Sequence, residues 1–316
     1  MPSIVQFFHP GQEHEIENGR IKDWNNKLEH YRKYLISKGN YIENNEEKRE
    51  NLLFWGEWEP TSYVDKLTKP TSISLYEKYP EYLHTPYIPP KEKMKHYQGK
   101  NKNYQNTDPF IFGEKFKYSI CLQDAFPELK KLDDGSIFLF GSCVNSRFAF
   151  DTIFVVNGAL YYNSSEDDKI NNFIMESKLY KEIVLKMACG ENNFATTLTL
   201  YTGATFKDNI NGMYSFVPSI KYNGEKRGFS RIIMPDEFYT NEYRMFNKYF
   251  SKWDLDKGKI YEGKTQGVNI TSRISLKEIK LFWEYLKNIV LENDCVLGYN
   301  FEMPTEYDIY QLKKTK

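Results

Sequence analysis

The chain has 316 residues, 43 basic and 43 acidic side chains, and a hydrophobic fraction of 40%. The zero formal charge excludes a general electrostatic attraction to nucleic acid but allows local basic patches. No signal-peptide pattern opens the sequence, no apolar run is long enough to span a bilayer, and the four cysteines form no CxxC pair. We therefore expect a soluble cytoplasmic protein, not attached to a membrane, whose cysteines are reduced and buried.

The N-terminal part predicts a strand, a helix and a second strand. The first strand is Ser3–Phe8, and His9-Pro10-Gly11 follows it as a turn. A helix from Asp23, a plausible N-cap, to Gly39 is predicted because apolar side chains recur there at helical spacing, at Trp24, Leu28, Tyr31 and Leu35. A charged connector, Glu43–Glu50, leads to the second strand, Asn51–Glu59.

The segment 68–108 shows no periodicity, contains five prolines and carries a run of lysines from Lys91 to Lys102. It is too long for an ordinary connection within a compact domain. Two interpretations remain open, a linker and an ordered loop that covers a site.

The remainder of the chain is predicted to be rich in strands. Asn157-Gly158 predicts a hairpin turn because Asn-Gly accepts positive φ, and Asn211-Gly212 and Asn223-Gly224 predict two more turns. The predicted strands are Ser136–Phe140, Arg147–Val156, Phe194–Tyr201, Met213–Pro218, Phe229–Met234 and Val296–Tyr299, and the predicted helices are Ile170–Ala188 and Leu276–Val290.

This order of elements lacks a regular βαβ alternation. It predicts an α+β fold with a mixed or mainly antiparallel sheet, a barrel being one form of it, and with packed amphipathic helices. The predicted units are an N-terminal strand-helix-strand segment, 1–67, the loop or linker 68–108, and a main body, 109–316, either separate from 1–67 or in one domain with it.

The segment Leu132–Val156, LDDGSIFLFGSCVNSRFAFDTIFVV, resembles the core of PUA-like β-barrel domains, in which a glycine-containing turn precedes a strand and its hairpin partner ends in apolar residues. Members of that group often recognise RNA or a modified base in an aromatic-lined pocket. The resemblance implies a barrel and such a ligand, and it assigns no role to any single residue.

Histidine is scarce and clustered, since three of five histidines fall within the first thirty residues. His9 and His14 flank a loop directly after a strand, where a rigid support presents side chains to a ligand. Because imidazole titrates near neutral pH, we predict a catalytic acid or base among these two. The spacing matches no metal-binding motif, so no metal site is predicted.

The segment Trp55-Gly56-Glu57-Trp58-Glu59 is the second candidate. As a strand it places Trp55, Glu57 and Glu59 on one face, where two neighbouring carboxylates repel each other and the pKa of one rises. Glu57 and Glu59 are therefore predicted catalytic carboxylates, and Trp55 and Trp58 are predicted to bind a substrate ring. An edge strand with exposed carboxylates and a buried tryptophan is the structural alternative.

Four further residues are predicted to bind substrate. Tyr201 and Thr202 end a predicted strand at Gly203, where the backbone can approach a phosphate or sugar closely. Lys95 belongs to a basic run with interleaved aromatic residues, and Arg147 offers a guanidinium fork to phosphate. A solvated loop and an ordinary strand end are the structural alternatives.

The motifs GxGxxG, GxxxxGK[ST] and GxSxG do not occur, and the sequence identifies no cofactor and no oligomeric state. The first hypothesis is an enzyme, a hydrolase or transferase, that acts on a nucleotide or nucleic-acid-derived substrate through His/Glu acid–base chemistry. The alternatives are a non-catalytic protein that binds a nucleotide, RNA or modified base in an aromatic-lined pocket, and a protein-interaction scaffold. The enzyme hypothesis predicts that His9 and Glu57 lie together.

Overall fold

The structure is a computed structural model. It describes the chain except residues 10, 15, 17–19, 27–30, 45, 69–78, 98–103, 145–146, 164–166, 175–176, 190–196, 226–227, 236–266, 272–273 and 307–316. Within the described residues, fourteen strands form two mixed sheets. The strands are β1 Ile4–His9, β2 Ile21–Lys22, β3 Lys33–Glu43, β4 Glu46–Gly56, β5 Ser62–Lys66, β6 Tyr82–Pro86, β7 Lys117–Tyr118, β8 Ile137–Val144, β9 Arg147–Asn163, β10 Thr197–Gly203, β11 Val217–Lys221, β12 Ile232–Ile233, β13 Gly267–Thr271 and β14 Val296–Gly298.

The first sheet has the order β13-β1-β8-β9-β10-β7, with β12 paired to β9. Strand β1 lies between β8, to which it is parallel, and β13, to which it is antiparallel. All six residues of β1 are buried, including the polar Gln6 and His9, so both faces of this strand are covered. The N-terminal strand therefore belongs to the same sheet as the strands of segment 109–316.

The second sheet has the order β14-β11-β4-β3-β6-β5-β2. Its centre is the long antiparallel hairpin of β3 and β4, paired from Lys33–Gly56 to Glu43–Glu46, with Asn44 at the turn in a left-handed conformation. Strand β4 also pairs with β11, so the apolar residues at its C-terminal half, Leu52 to Gly56, are buried.

Helices are few in the described residues. They are α1 Lys91–Tyr97, α2 Asp167–Phe173, α3 Ser177–Tyr180, a π-helical turn Lys181–Leu185 that leads into α4 Lys186–Cys189, and α5 Leu276–Glu292; a 3₁₀ turn spans Pro127–Lys130. Helix α5 begins with a capping box between Ser275 and Glu278, and it buries one face that includes Trp283. None of these helices combines the length and apolar character needed to cross a membrane.

The predicted helix from Asp23 to Gly39 is wrong in the described residues. Trp24 and Asn25 lie in irregular chain, and Leu35 lies in β3; Leu28 falls outside the described residues. The helical spacing of the apolar side chains was outweighed by pairing of β3 with β4 and β6, which also turns most of the charged connector into strand. The strand predicted over Asn51–Glu59 ends earlier, at Gly56.

The hairpin turn predicted at Asn157-Gly158 is also wrong. Strand β9 continues through both residues and pairs first with β8 and then, beyond Val155, with β10. Gly158 has φ 116°, so glycine serves here to bend a continuing strand rather than to reverse it. The turn predicted at Asn211-Gly212 is present, with φ 53° and 86°.

The two sheets remain open, and the described residues form no closed barrel. The barrel form of the α+β prediction, and the barrel implied by the resemblance to PUA-like domains, are therefore wrong for the part of the chain that the structure describes. Within residues 132–156, β8 and the first part of β9 are antiparallel neighbours in an open sheet instead. Segment 68–108 is not loop throughout, because β6 pairs with both β3 and β5 and α1 follows it.

Candidate functional site

The candidate site is a buried cluster of ionisable side chains, which we call the Arg32 cluster: His9, Arg32, Glu57, Asp151 and Arg231. The β3–β4 hairpin explains how two of them meet. Lys33 pairs with Gly56 at the open end of that hairpin, so the next residue on each strand, Arg32 and Glu57, follows directly across from the other. Arg32 Nη1 donates to Glu57 Oε2 at 2.8 Å, and both side chains are almost completely buried.

The guanidinium of Arg32 holds together groups from three separate parts of the chain. While Nη1 donates to Glu57, Nη2 contacts His9 Nδ1 at 2.9 Å and donates to the Gly141 carbonyl at 3.1 Å. Nε lies 3.0 Å from Asp151 Oδ2 as an ion pair, but neither atom makes an aligned hydrogen bond in the described structure. Burial lowers the pKa of Arg32, but Asp151 and Glu57 outweigh it and the net shift is upward.

A β-bulge brings Asp151 to Arg32. The pairing of β8 with β9 passes from Phe140–Thr152 to Gly141–Phe150, so Asp151 is an extra residue without a partner on β8. A bulge redirects the side chain and carbonyl groups beside it. The close approach requires glycine on the opposite strand, because a Cβ at Gly141 would lie 2.2 Å from the Ala149 carbonyl oxygen. Burial raises the pKa of Asp151, while Arg32 and Arg231 oppose the rise.

The contact with Arg32 fixes the protonation of the His9 ring. A guanidinium can only donate, so His9 Nδ1 accepts and the proton of the neutral ring resides on Nε2. His9 Nε2 lies 4.0 Å from Glu57 Oε2 and 3.9 Å from Cys121 Sγ. This arrangement differs from a Cys–His–carboxylate triad, in which Nδ1 donates and Nε2 accepts. It favours His9 as a proton donor rather than as a base that activates Cys121.

Asp108 joins Glu57 to the segment that carries Cys121. The Asp108 backbone N–H donates to Glu57 Oε1 at 3.1 Å, and the Asp108 carboxylate accepts backbone N–H groups from Ser119, Ile120 and Cys121. Burial raises the pKa of Asp108 to about 7 against the effect of these donors. Cys121 is half-buried, whereas the sequence predicts fully buried cysteines.

Glu57 and Glu59 are both buried, which excludes the exposed carboxylates of the structural alternative. Burial raises the pKa of Glu57 to about 6 against the pull of Arg32. Burial and then the charge of Glu57 raise the pKa of Glu59 to about 8, while Lys33 and a hydrogen bond from Asn25 oppose the rise. The predicted effect of one carboxylate on the other is present, although β4 ends before both of them.

Arg231 extends the cluster toward Trp55. Its guanidinium carbon lies 4.2 Å from the centroid of the Trp55 ring, and its Nη1 donates to the Gly11 carbonyl at 2.8 Å and to Ser142 Oγ at 2.9 Å. Ser142 is the β8 residue that pairs with His9, so register places Arg231 beside the end of β1. Burial lowers the pKa of Arg231 to about 10.

His14 lies apart from the His9–Glu57 contact. It is buried, its ring centroid lies 5.1 Å from that of Tyr31, and its backbone N–H donates to the Arg32 carbonyl. Its neighbour Glu13 accepts the backbone N–H groups of Glu81 and Tyr82, and burial raises the pKa of Glu13 to about 7. His14 therefore flanks the backbone that positions Arg32.

The predicted substrate-binding residues do not converge. Trp58 is buried edge-to-face against Phe112, and its Nε1 donates to Thr61 O. Tyr201 and Thr202 lie in the buried part of β10, and their hydroxyls donate to backbone carbonyls of Leu129 and Asn157. Lys95 is exposed on α1. Arg147 begins β9, and its side chain lies outside the described structure.

Four charged residues of the site were not predicted from sequence: Arg32, Asp108, Asp151 and Arg231. Asp151 gave a usable signal, because it is a lone carboxylate within an apolar strand, RFAFDTIFVV, and a buried charge requires a partner. Arg32 was hidden by the wrong helix. Arg231 lies within the predicted strand Phe229–Met234, and the sequence does not connect it with any other residue.

The chemical character of the cluster is acid–base and ionic. Within the described part of the chain, no group of three or more His, Cys, Asp and Glu side chains has the arrangement needed to hold a metal ion. Several carboxyl groups with raised pKa values lie close to a histidine of defined tautomer, and perturbed pKa values of this kind concentrate at functional sites. Comparison with protein-family models, with curated proteins and with solved structures gave no match.

Proposed function

We propose that the protein is an enzyme that acts on a nucleotide or nucleic-acid-derived substrate, with His9 and Glu57 as its acid–base pair. The observation that carries the proposal is the double contact of Arg32, which donates to Glu57 and to His9 Nδ1 and so holds His9 Nε2 4.0 Å from Glu57 Oε2. Two titratable groups held by a third, immobile charge form the arrangement that proton transfer requires.

In the proposed chemistry, the Nε2 proton of the neutral His9 ring passes to the leaving group of the substrate. The anionic ring that results is stabilised by the Arg32 guanidinium at Nδ1, and it regains a proton from protonated Glu57 across the 4.0 Å between Nε2 and Oε2. Glu57, whose pKa of about 6 lies near physiological pH, accepts a proton from the attacking group. Arg32 stabilises the negative charge of Glu57 and keeps the His9 ring oriented. Hydrolysis and group transfer share these steps and differ in whether water or a second substrate attacks.

The nucleotide class is supported by charge rather than by a ring-binding pocket. Arginine is well suited to phosphate, and two buried arginines lie in this cluster. Trp55 and Trp58, the proposed ring platforms, are engaged by Arg231 and Phe112. This packing favours the enzyme over a non-catalytic protein with an aromatic-lined pocket.

The test is a turnover screen with nucleoside mono-, di- and triphosphates and short RNA and DNA oligonucleotides, with products followed by mass spectrometry. On the substrate that is consumed, Glu57→Gln and His9→Gln should each lower kcat by about 10²–10⁴-fold, because each removes a proton-transfer group while preserving size. The double variant should lose little more than either single variant, since the two residues act as a unit.

The matched control is Glu128→Gln, which makes the same change at an exposed carboxylate on the 3₁₀ turn. It should retain the activity of the wild-type protein. Absence of product across the whole panel, or full activity of both site variants, would contradict the proposed function.

A further inference from the structure

Arg231 has unused hydrogen-bonding capacity in a buried position. Only 3% of the residue is exposed, and its Nη1 is fully used by Gly11 O and Ser142 Oγ. Nε and Nη2 have no hydrogen-bond partner in the described structure. Buried donors are nearly always paired, so three unpaired N–H bonds on one buried cation need an explanation.

The unused atoms form a binding edge. In a guanidinium, the Nε–H bond and one Nη2–H bond lie parallel on the same side, and this side-on fork matches two oxygens of a phosphate or carboxylate. The Trp55 ring lies against the guanidinium and Nη1 is anchored, so the fork is held in place before any ligand binds. With a pKa of about 10, Arg231 remains charged at neutral pH.

The other basic side chains in and beside the Arg32 cluster are already engaged. Arg32 neutralises Glu57 and Asp151 through contacts of 2.8 and 3.0 Å, and Lys33 donates to the carbonyl of Pro60 at 3.2 Å. Arg231 has no carboxylate within ion-pair distance in the described residues, although Asp151 and Glu13 act on it from further away. Among the three basic residues, Arg231 is therefore the one positioned to receive an external anion.

We propose that the Nε/Nη2 edge of Arg231, supported by Trp55 and Ser142, is an anion subsite that binds a phosphoryl group. The inference rests on the proposed function in treating the Arg32 cluster as the substrate site, and it adds that the substrate is held through its phosphate at Arg231. Ser142 pairs with His9 in the sheet, so the subsite lies beside the proposed proton donor.

The test measures binding of inorganic phosphate to the full-length protein by calorimetry and by thermal unfolding, with sodium chloride at matched ionic strength and with acetate. Phosphate should raise the Tm of the wild-type protein beyond the effect of sodium chloride, because a ligand specific for the folded state stabilises it. Acetate should bind more weakly. Equal binding of acetate would overturn the phosphoryl assignment, and a response no larger than that of sodium chloride would overturn the subsite.

Three variants locate the binding. Arg231→Lys keeps the charge but loses the side-on fork, so its Kd for phosphate should rise by about tenfold or more, and Arg231→Met should abolish binding. Arg49→Met, a control at a partly exposed arginine paired with Glu302, should bind as the wild-type protein does. Wild-type affinity in Arg231→Lys would contradict the proposal.

If Arg231→Met does not fold, the wild-type protein decides the question by NMR. In ¹⁵N-arginine-labelled protein, phosphate should shift one Nε–H resonance that is missing from Arg231→Lys, and no such shift would reject the subsite. Glu57→Gln should retain phosphate binding, because Glu57 contacts Arg32 rather than Arg231. Phosphate binding without turnover would therefore contradict the proposed function alone, and turnover without phosphate binding would contradict the subsite alone.

Discussion

Strand β1 passes through two regions that are equally buried and chemically opposite. At Phe7 it enters an aromatic cluster, where ring centroids lie 5.1 Å from Phe140 and 6.0 Å from Tyr118. Two residues later, at His9, it enters the Arg32 cluster. Since Phe7 and His9 are each at most 1% exposed, exposure does not distinguish the two regions.

The regions differ in how completely their polar groups are paired. The aromatic cluster also contains Tyr201, whose ring stacks at 6.2 Å on that of Tyr118. The Tyr201 hydroxyl donates to Leu129 O at 2.9 Å and accepts from Leu132 N at 3.0 Å. In the Arg32 cluster, Arg32 Nε, Asp151 Oδ2 and two nitrogens of Arg231 lack hydrogen bonds in the described structure. The Tyr201 hydroxyl is therefore fully paired, whereas the Arg32 cluster keeps buried charges whose hydrogen bonding is incomplete, an arrangement that costs stability and is typical of functional sites.

The largest difference in stability between variants of the two regions is expected from a substitution at Arg32. Arg32→Met should lower the free energy of unfolding by about 3–5 kcal/mol, because it leaves the buried carboxylates of Glu57 and Asp151 without their cation. The measurement is urea unfolding at neutral pH. The companion variant Arg32→Met/Glu57→Gln/Asp151→Asn, which removes those charges as well, should recover part of the loss. If it is no more stable than Arg32→Met alone, the stability of this region does not depend on charge pairing.

A second effect, spread over several pH units, is expected in the pH dependence of stability. The pKa of Glu59 is raised from 4.5 to about 8, so the folded state favours its protonated form. Its contribution to stability is complete below pH 4.5 and is lost as pH rises toward 8 and ionisation requires a buried charge. Glu59→Gln, which mimics the protonated form, should therefore become more stable relative to the wild-type protein across this window, by up to about 1.4 kcal/mol per pH unit.

Urea unfolding of both proteins at a series of pH values measures this difference. Glu128→Gln, at an exposed carboxylate, serves as the control and should follow the wild-type curve. A difference between Glu59→Gln and wild type that stays constant from pH 4.5 to 8 would show that Glu59 is ionised in the folded protein throughout.

Local patterns predicted the aromatic region better than the region around Arg32. Ser3–Phe8 and Ser136–Phe140 were predicted as strands because their apolar runs need burial on both faces, and the capped, periodic helix α5 was predicted for similar local reasons. The segment around Arg32 was predicted as helix because spacing alone cannot report pairing of β3 with distant β6. Likewise, the sequence could not show that β9 continues past Asn157-Gly158, because this depends on a change of its pairing partner from β8 to β10.

Only those site residues that cluster in the sequence could be predicted. His9 and Glu57 were singled out because histidines and tryptophan-flanked carboxylates cluster near the N-terminus, and the structure places the two side chains together; their catalytic roles stay predictions. Asp151 and Arg231 lie far along the chain and join the cluster through a bulge and a cation–π contact. Both depend on the register between strands, which one sequence does not reveal.

The smallest effect is expected in the aromatic cluster. Tyr201→Phe removes one hydroxyl and leaves the ring packing intact, so it should cost about 1–3 kcal/mol, because two hydrogen bonds are lost and the Leu129 carbonyl and the Leu132 N–H lose their shared partner. Urea unfolding under the conditions used for Arg32→Met gives the direct comparison. Because the ring fills the same volume in both residues, a loss as large as that of Arg32→Met would mean that the hydroxyl, rather than apolar packing, holds Leu129 and Leu132 against β10. Hydrogen bonding would then contribute as much to the stability of the aromatic cluster as charge pairing contributes to that of the Arg32 cluster, and the two regions would differ only in the kind of polar contact they contain.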